Sequence, residues 1–265
     1  MFVPYLVTRV VIADLPRHIT ESATELSLSV LSELPGAITE GYYLSFTELG
    51  LMLVEVGGKI GGALRVDFVE GKLGFRRRQQ EAKPDIIKAL GIQGGIKPLV
   101  WDQTAGLGQD AFVIAQYAGK VRMFERHGVV KALLNDGLKR ASDVGEKDDS
   151  LKCLVEKMIL SEHSCSDVEE IPDVIYLDPM FPARKKSAKV KKGMQIFHHL
   201  VGNDVDADML LLPAIDNARY RVVVKRPLTA PVLAGKAPSF SIKGKTIRFD
   251  VYVKAKMPTH LDRTK

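Results

Sequence analysis

The stretch KPLVWDQTAGLGQDAFVIAQYAGKVRMFE (97–125) decides the fold. KPLVWD (97–102) reads as an apolar strand closing on a carboxylate, TAGLG (104–108) as a tight turn, DAFVIAQYA (110–118) as a helix and KVRMFE (120–125) as a second strand. Two strands joined through a helix form a βαβ unit, because parallel strands need a crossover of about this length. The alternation continues outward. GVVKALLNDGLKRA (128–141) is a second helix, LVEKMILSE (154–162) contains a third strand and DVIYLD (173–178) is a fourth. Helices are expected at 187–201 and 205–218, then the strand RVVVK (221–225) and a hairpin in FSIKGKTIRFDVYVK (240–254) turning at Lys243-Gly244. The pattern predicts an α/β, Rossmann-like fold: a mostly parallel sheet with helices on both faces and an antiparallel C-terminal hairpin at one edge.

Upstream, the character is mixed. VPYLVTRVVIA (3–13) reads as a strand, TESATELSLSVLSEL (20–34) as an amphipathic helix capped by Thr20, and LRVDFVEGKLGFRRR (64–78) as a hairpin or meander. PDIIKALGI (84–92) is a helix with Pro84 in its first turn and Gly91 at its end. Without a β–α alternation, residues 1–80 are expected to form a small α+β unit and residues 81–265 the Rossmann-like domain.

Hydrophobic residues make up 46% and charged residues 26% of the 265, a composition that excludes a disordered, collagenous or coiled-coil chain. The two cysteines, Cys153 and Cys165, stand outside any CxxC, so neither a disulfide framework nor a structural zinc is expected, and no metal site. No secretory signal is visible, and the apolar run LMLVEVGGKIGGAL (51–64) carries Glu55 and Lys59, so no membrane span and a cytoplasmic location are expected. The net charge of +6 is unevenly spread: residues 101–180 hold 15 acidic against 9 basic side chains, residues 181–265 hold 6 against 18. A basic C-terminal third points to a polyanionic partner.

Three motifs carry chemistry. In the first, a strand ends on Asp102, and Gly106 and Gly108 bring the backbone close to a ligand before a helix opens at Gln109 and Asp110. Gly106-x-Gly108-x-x-Ala111 satisfies the dinucleotide fingerprint, and Glu125 ends the next strand where an acid would bind ribose hydroxyls. The carboxylate of Asp102 disfavours a pyrophosphate there, and suits a cofactor with a cationic amino-acid end such as S-adenosylmethionine (SAM). The second motif is Asp178-Pro179-Met180-Phe181 at the end of the fourth strand. It looks like the (Asn/Asp)-Pro-Pro-(Tyr/Phe) motif of methyltransferases acting on exocyclic amines, with Met180 in place of the second proline. Such an amine is a poor nucleophile because its lone pair is delocalised into the ring. Asp178 and the Pro179 carbonyl accept its two N–H bonds, and Phe181 stacks on the base, which is worth roughly 1–3 kcal/mol. The third is the run Arg184, Lys185, Lys186, Lys189, Lys191 and Lys192, which with Lys225 and Arg226, and Arg76-Arg77-Arg78 earlier, would hold phosphates flanking a target nucleotide.

Together, DQTAGLGQDAFVIA, VRMFERHGVVKALLNDGL, VIYLDPMFPARKKSAKVKKGMQIFHHLVG and RVVVKRP closely resemble the ribosomal RNA small subunit methyltransferase J family. The resemblance implies SAM as cofactor and the exocyclic N2 of a guanine in 16S rRNA, free or in the small ribosomal subunit, as target. It places SAM contacts on Gln109, Asp110, Glu125, Arg126, His163, Ser164 and Asp178. The chain departs from the family pattern with Phe75 where a His is usual, with RRRQQEAKP (76–84) where a glycine-rich loop is usual, and with His127-Gly128 in place of Asn-Pro. Two other readings share part of the pattern: a nicotinamide oxidoreductase would use the same glycine turn and Glu125, and a non-catalytic ribosome-assembly factor would use the basic surface.

Overall fold

The computed structural model describes residues 2–58, 60, 62–70, 83–180, 192–202 and 206–258. These contain twelve strands in two sheets. The first sheet takes β1 (Phe2–Thr8), β2 (Ser29–Leu31), β3 (Gly41–Thr47), β4 (Gly50–Val56) and β5 (Ala63–Leu64) in the order β2-β1-β3-β4-β5. The second takes β6 (Leu99–Asp102), β7 (Lys120–Met123), β8 (Met158–Leu160), β9 (Val174–Leu177), β10 (Arg221–Pro227), β11 (Phe240–Lys243) and β12 (Ile247–Val253) in the order β11-β12-β10-β9-β6-β7-β8. From β8 to β10 every pairing in the second sheet is parallel, and β12 runs antiparallel to both β10 and β11. This is the Rossmann-like sheet that the 97–125 unit predicts, closed by its hairpin. Its central strands β6 and β9 are buried along their whole length, as apolar strands between two helix layers must be.

The helices are α1 (Arg17–Glu25), α2 (Asp85–Ala89), α3 (Gln109–Ala115), α4 (Gly128–Gly145), α5 (Asp149–Val155), α6 (Lys192–Val201) and α7 (Ala207–Asn217). The helix expected over 20–34 is corrected on two counts. It starts at Arg17, after the extended Pro16, and it stops at Leu26, beyond which Ser27 takes φ +52°. Ser29–Leu31 then becomes β2, parallel to β1. The reason is a period-two pattern inside LSLSVL: Leu26, Leu28 and Val30 pack on the core while Ser27 and Ser29 face out. β1, α1 and β2 are thus a parallel βαβ unit, in a segment whose sequence shows no β–α alternation. Of the hairpin or meander expected over 64–78, the structure describes residues 64–70: beyond β5, the Asp67 carboxylate accepts the N–H groups of Val69 and Glu70 to close a turn. Residues 71–82, including Phe75, Arg76-Arg77-Arg78 and the boundary at residue 80, lie outside the described residues. α5 was not foreseen; the Asp148 side chain caps it through the Leu151 N–H at 3.0 Å.

One hydrophobic core runs through both sheets. α4 joins them. It packs against β4 and α1 of the first sheet, and its other side covers the second. Gly137, in its middle, faces Val66: an added Cβ would lie 2.5 Å from Val66 Cγ1, so only glycine lets helix and chain approach this closely. The buried Asp136 beside it accepts hydrogen bonds from the Leu51 N–H at the start of β4 (3.0 Å) and from Arg140 Nε (2.8 Å), and meets His18 Nε2 of α1 at 3.3 Å.

Candidate active site

The strand order reverses between β6 and β9, so the crevice for a ligand opens beyond the carboxyl ends of these strands. Which side chains enter it follows from alternation. Val100, Tyr176 and Val223 point into the core shared with α3 and α4, whereas Trp101, Ile175, Leu177, Val222 and Val224 point into the core beneath α7. Two residues further along each strand, Asp102, Asp178 and Lys225 therefore emerge on the α3 side. The pairing of Leu177 with Val224 sets Asp178 and Lys225 abreast.

The first turn of α3 meets them. Lys225 Nζ donates to Asp110 Oδ2 at 2.7 Å and to Asp178 Oδ2 at 2.8 Å, and the Tyr176 hydroxyl donates to the same Asp110 oxygen at 2.6 Å. Thr104 ties two strand ends together: its N–H donates to Asp102 Oδ1 (3.1 Å) and its Oγ1 accepts the Asp178 N–H (2.6 Å). Gly108 precedes α3 at φ +71°, and a Cβ there would lie 2.7 Å from Leu134 Cδ1 and 2.9 Å from the Phe68 ring, so both its conformation and its packing require glycine. Glu125 straps the turn. One of its carboxylate oxygens accepts the Gly106 N–H (2.8 Å) and the other the His127 N–H (2.7 Å).

These groups surround a cavity of about 480 Å³. Asp102, Gly106, Gln109, Asp110, Glu125, Arg126, Asp178, Pro179, Lys225 and Arg226 line it, with an apolar wall from Met180, Met194 and Phe197. Asp102 is 1% exposed, and burial together with the fields of Asp110, Asp178 and Glu125 pushes its carboxyl well above the usual carboxylate range against one N–H bond from Thr104. Burial, with Asp110 and Asp178 close by, likewise holds the Tyr176 hydroxyl well above its ordinary value. Four carboxylates around one cavity make a donor set that fits a cationic ligand. SAM, with its sulfonium and ammonium, meets that requirement, whereas a pyrophosphate would meet repulsion.

Several expectations are relocated. Lys225 and Arg226 are not on a phosphate-binding surface. Lys225 is held between two carboxylates, and Arg226, one residue on and 3% exposed, sends its guanidinium to the opposite face, where Nε and Nη2 donate to the Pro231 carbonyl. Arg126 lines the cavity and is bound to both carboxylate oxygens of Asp206, ahead of α7 (2.9 and 2.7 Å). His163 and Ser164 do not line the cavity; Ser164 Oγ bonds to Asp167 Oδ2 and Ser166 Oγ. Lys192 is exposed at the start of α6. Phe181, Arg184, Lys185, Lys186, Lys189 and Lys191 lie outside the described residues. Thr104, Tyr176 and Phe197 belong to the site without having been singled out. The signal for Tyr176 was its place two residues before Asp178 on one strand.

Among the described residues no helix is long and apolar enough to cross a membrane. Residues 28–254 match a family model described as "Putative SAM-dependent methyltransferase". The chain is 44% identical over 246 residues to the ribosomal RNA small subunit methyltransferase J of Cellvibrio japonicus, covering 89% of this chain and 92% of the relative. It is 52% identical over 201 residues to the protein of that name from Colwellia psychrerythraea, covering 74% and 72%. Its fold is similar to that of a SAM-dependent methyltransferase from Neisseria gonorrhoeae solved by crystallography, with a TM-score of 0.69, 32% identity and coverage of 94% and 95%. The sheet is that of a class I methyltransferase and the cofactor is SAM, which sets aside the nicotinamide and non-catalytic alternatives.

Proposed function

The chain belongs to the ribosomal RNA small subunit methyltransferase J family, and from that premise we propose that this SAM-dependent rRNA methyltransferase acts on the exocyclic N2 amine of a guanine in the 16S rRNA of the small ribosomal subunit. The observation that carries the reading is the meeting of Asp178 and Pro179 with the Asp102–Asp110 turn in one cavity. Asp102 and the Gly106–Asp110 turn hold the cationic end of the cofactor, and Glu125 and Arg126 its ribose. When bound, SAM supplies an electrophilic methyl group, which the amine's lone pair takes while sulfur keeps the electrons of the broken bond. Asp178 and the Pro179 carbonyl accept the two amine N–H bonds and aim the lone pair. The surplus proton then leaves the nitrogen through Asp178 to water. Alignment of this kind can contribute roughly 7–11 kcal/mol. The apolar wall of Met180, Met194 and Phe197 receives a base taken out of its stack. The run from Arg184 to Lys192 begins five residues after Pro179 and grips flanking phosphates.

The test is transfer of labelled methyl from SAM to small-subunit rRNA, followed by nucleoside analysis. N2-methylguanosine is the expected product. Asp178→Ala should lose about a hundredfold or more in rate, with RNA and SAM binding largely kept. Label on an adenine or cytosine amine would refute the guanine assignment, and loss of RNA binding in step with activity would make Asp178 structural.

A further inference from the structure

We propose that Lys225 is a positioning residue for methyl transfer: its ammonium bridges Asp110 on the cofactor side to Asp178 on the substrate side, fixing the Asp178 carboxylate and balancing its charge. The proposal rests on the assignment of Asp178 to the substrate amine. It is independent of which base carries that amine.

The geometry is specific. Lys225 has one partner from α3, at 2.7 Å, and one from the end of β9, at 2.8 Å, both within charge-assisted hydrogen-bond range. The groups that face it are Asp110, Tyr176, Asp178 and the buried Asp102, with Glu125, Arg126 and His198 further round the same cavity; the Arg226 guanidinium is turned to the Pro231 carbonyl on the opposite face. Burial works against the ammonium's charge, but Asp178 and Asp110 outweigh it, so the side chain stays protonated throughout the physiological range. Without that cation, Asp110 and Asp178 would confront each other as like charges, and one would take up a proton. A protonated Asp178 presents an O–H where the amine needs an acceptor. The same contact holds one Asp178 oxygen, Oδ2, and leaves the other to accept the amine N–H. A hydrated lysine at the surface would do none of this. Lys225 therefore belongs with the chemistry, although composition places it with the phosphate-binding cations.

Lys225→Met keeps most of the volume and removes the charge; Lys225→Arg keeps the charge. Both are to be compared with the wild type and with Asp178→Ala for kcat across pH 5 to 9 and for SAM affinity by calorimetry. For Lys225→Met the expected result is a fall in kcat of about a hundredfold at neutral pH. The acidic limb of its pH–rate profile should move up by about one to three pH units, with SAM bound as tightly as before or tighter, because a competing cation has gone. Lys225→Arg should restore part of the rate and the original limb. Full activity of Lys225→Met beside an inactive Asp178→Ala would overturn this proposal alone. An active Asp178→Ala would overturn the assignment beneath it as well. Parallel loss of kcat and SAM binding with an unmoved limb, with or without loss of folding, would make Lys225 a structural residue, and failure of Lys225→Arg to shift the limb back would also count against the role given to its charge.

Discussion

Asp102 and Asp136 are both 1% exposed, and they have opposite surroundings. Burial alone would raise both carboxyls. At Asp136 the hydrogen bonds from His18 and Arg140, the charge of Arg140 and the Leu51 N–H outweigh it, and the group lies below the usual carboxylate range. At Asp102 the neighbours Asp110, Asp178 and Glu125 add to it, and the group is driven up. The difference teaches how to tell a structural carboxylate from a functional one. Asp136 has its cations within the chain and holds two sheets together. Asp102 has acids for neighbours and no cation of the chain among the groups that set its charge, which is the setting the proposed cationic cofactor would complete.

The contrast is sharpest in stability. Asp136→Ala should cost about 3–5 kcal/mol, since it leaves the half-buried Arg140 without its carboxylate and the Leu51 N–H without an acceptor, and urea denaturation measures this. The sign with pH follows from the lowered carboxyl: its contribution is complete above the unfolded value of about 3.9 and is lost as pH falls through the folded value. The variant should therefore lose the acid-dependent part of the wild-type stability curve. An unchanged curve would break the comparison on the Asp136 side.

Gly108→Ala probes the link between the two places, because Leu134, which its Cβ would strike, lies on α4 two residues before Asp136. It should destabilise the protein by about 1–3 kcal/mol and weaken SAM binding together with stability. A loss of one without the other would separate the turn from α4. Asp102→Asn is the smallest change and has a double signature. A raised carboxyl costs stability from about pH 4 upward until pH passes the folded value, so the amide should hold or increase stability at neutral pH. SAM affinity should fall about tenfold, or 1.4 kcal/mol, and its rise with pH should flatten. Calorimetry in two buffers of different ionisation enthalpy would show proton release on SAM binding by the wild type and less by the variant. A drop in stability would mean that Asp102 resembles Asp136 after all.

Much of the second sheet was legible because each strand of 97–125 is short, apolar and bounded by glycine or a carboxylate. The helix at 20–34 was misread because LSLSVL obeys both periods; pairing with β1 decides, and that lies outside the local sequence. The turn Gly106–Asp110 and Asp178 were legible as a pair of strand ends. The positions of Lys225 and Arg226 were not, because composition treats adjacent cations alike while a strand sends them to opposite faces. Glu125 shows a different limit. Its place at the end of β7 was readable, but its hold on the Gly106 and His127 amides depends on how the turn comes back over the sheet.

α4 has no back. One side lies on the sheet that carries the cavity and the other on the smaller sheet, with Gly137 against Val66 and Asp136 against Leu51. A helix with a broad solvent face can shift slightly to absorb a changed side chain beneath it. This one is loaded from both sides, like the middle board of a laminate, so a displacement at either surface is carried to the other. The two sheets are therefore expected to drift together over evolutionary time, each substitution beneath α4 answered by one above it. The small sheet, which contributes none of the described residues lining the cavity, sets how firmly the cavity floor is held.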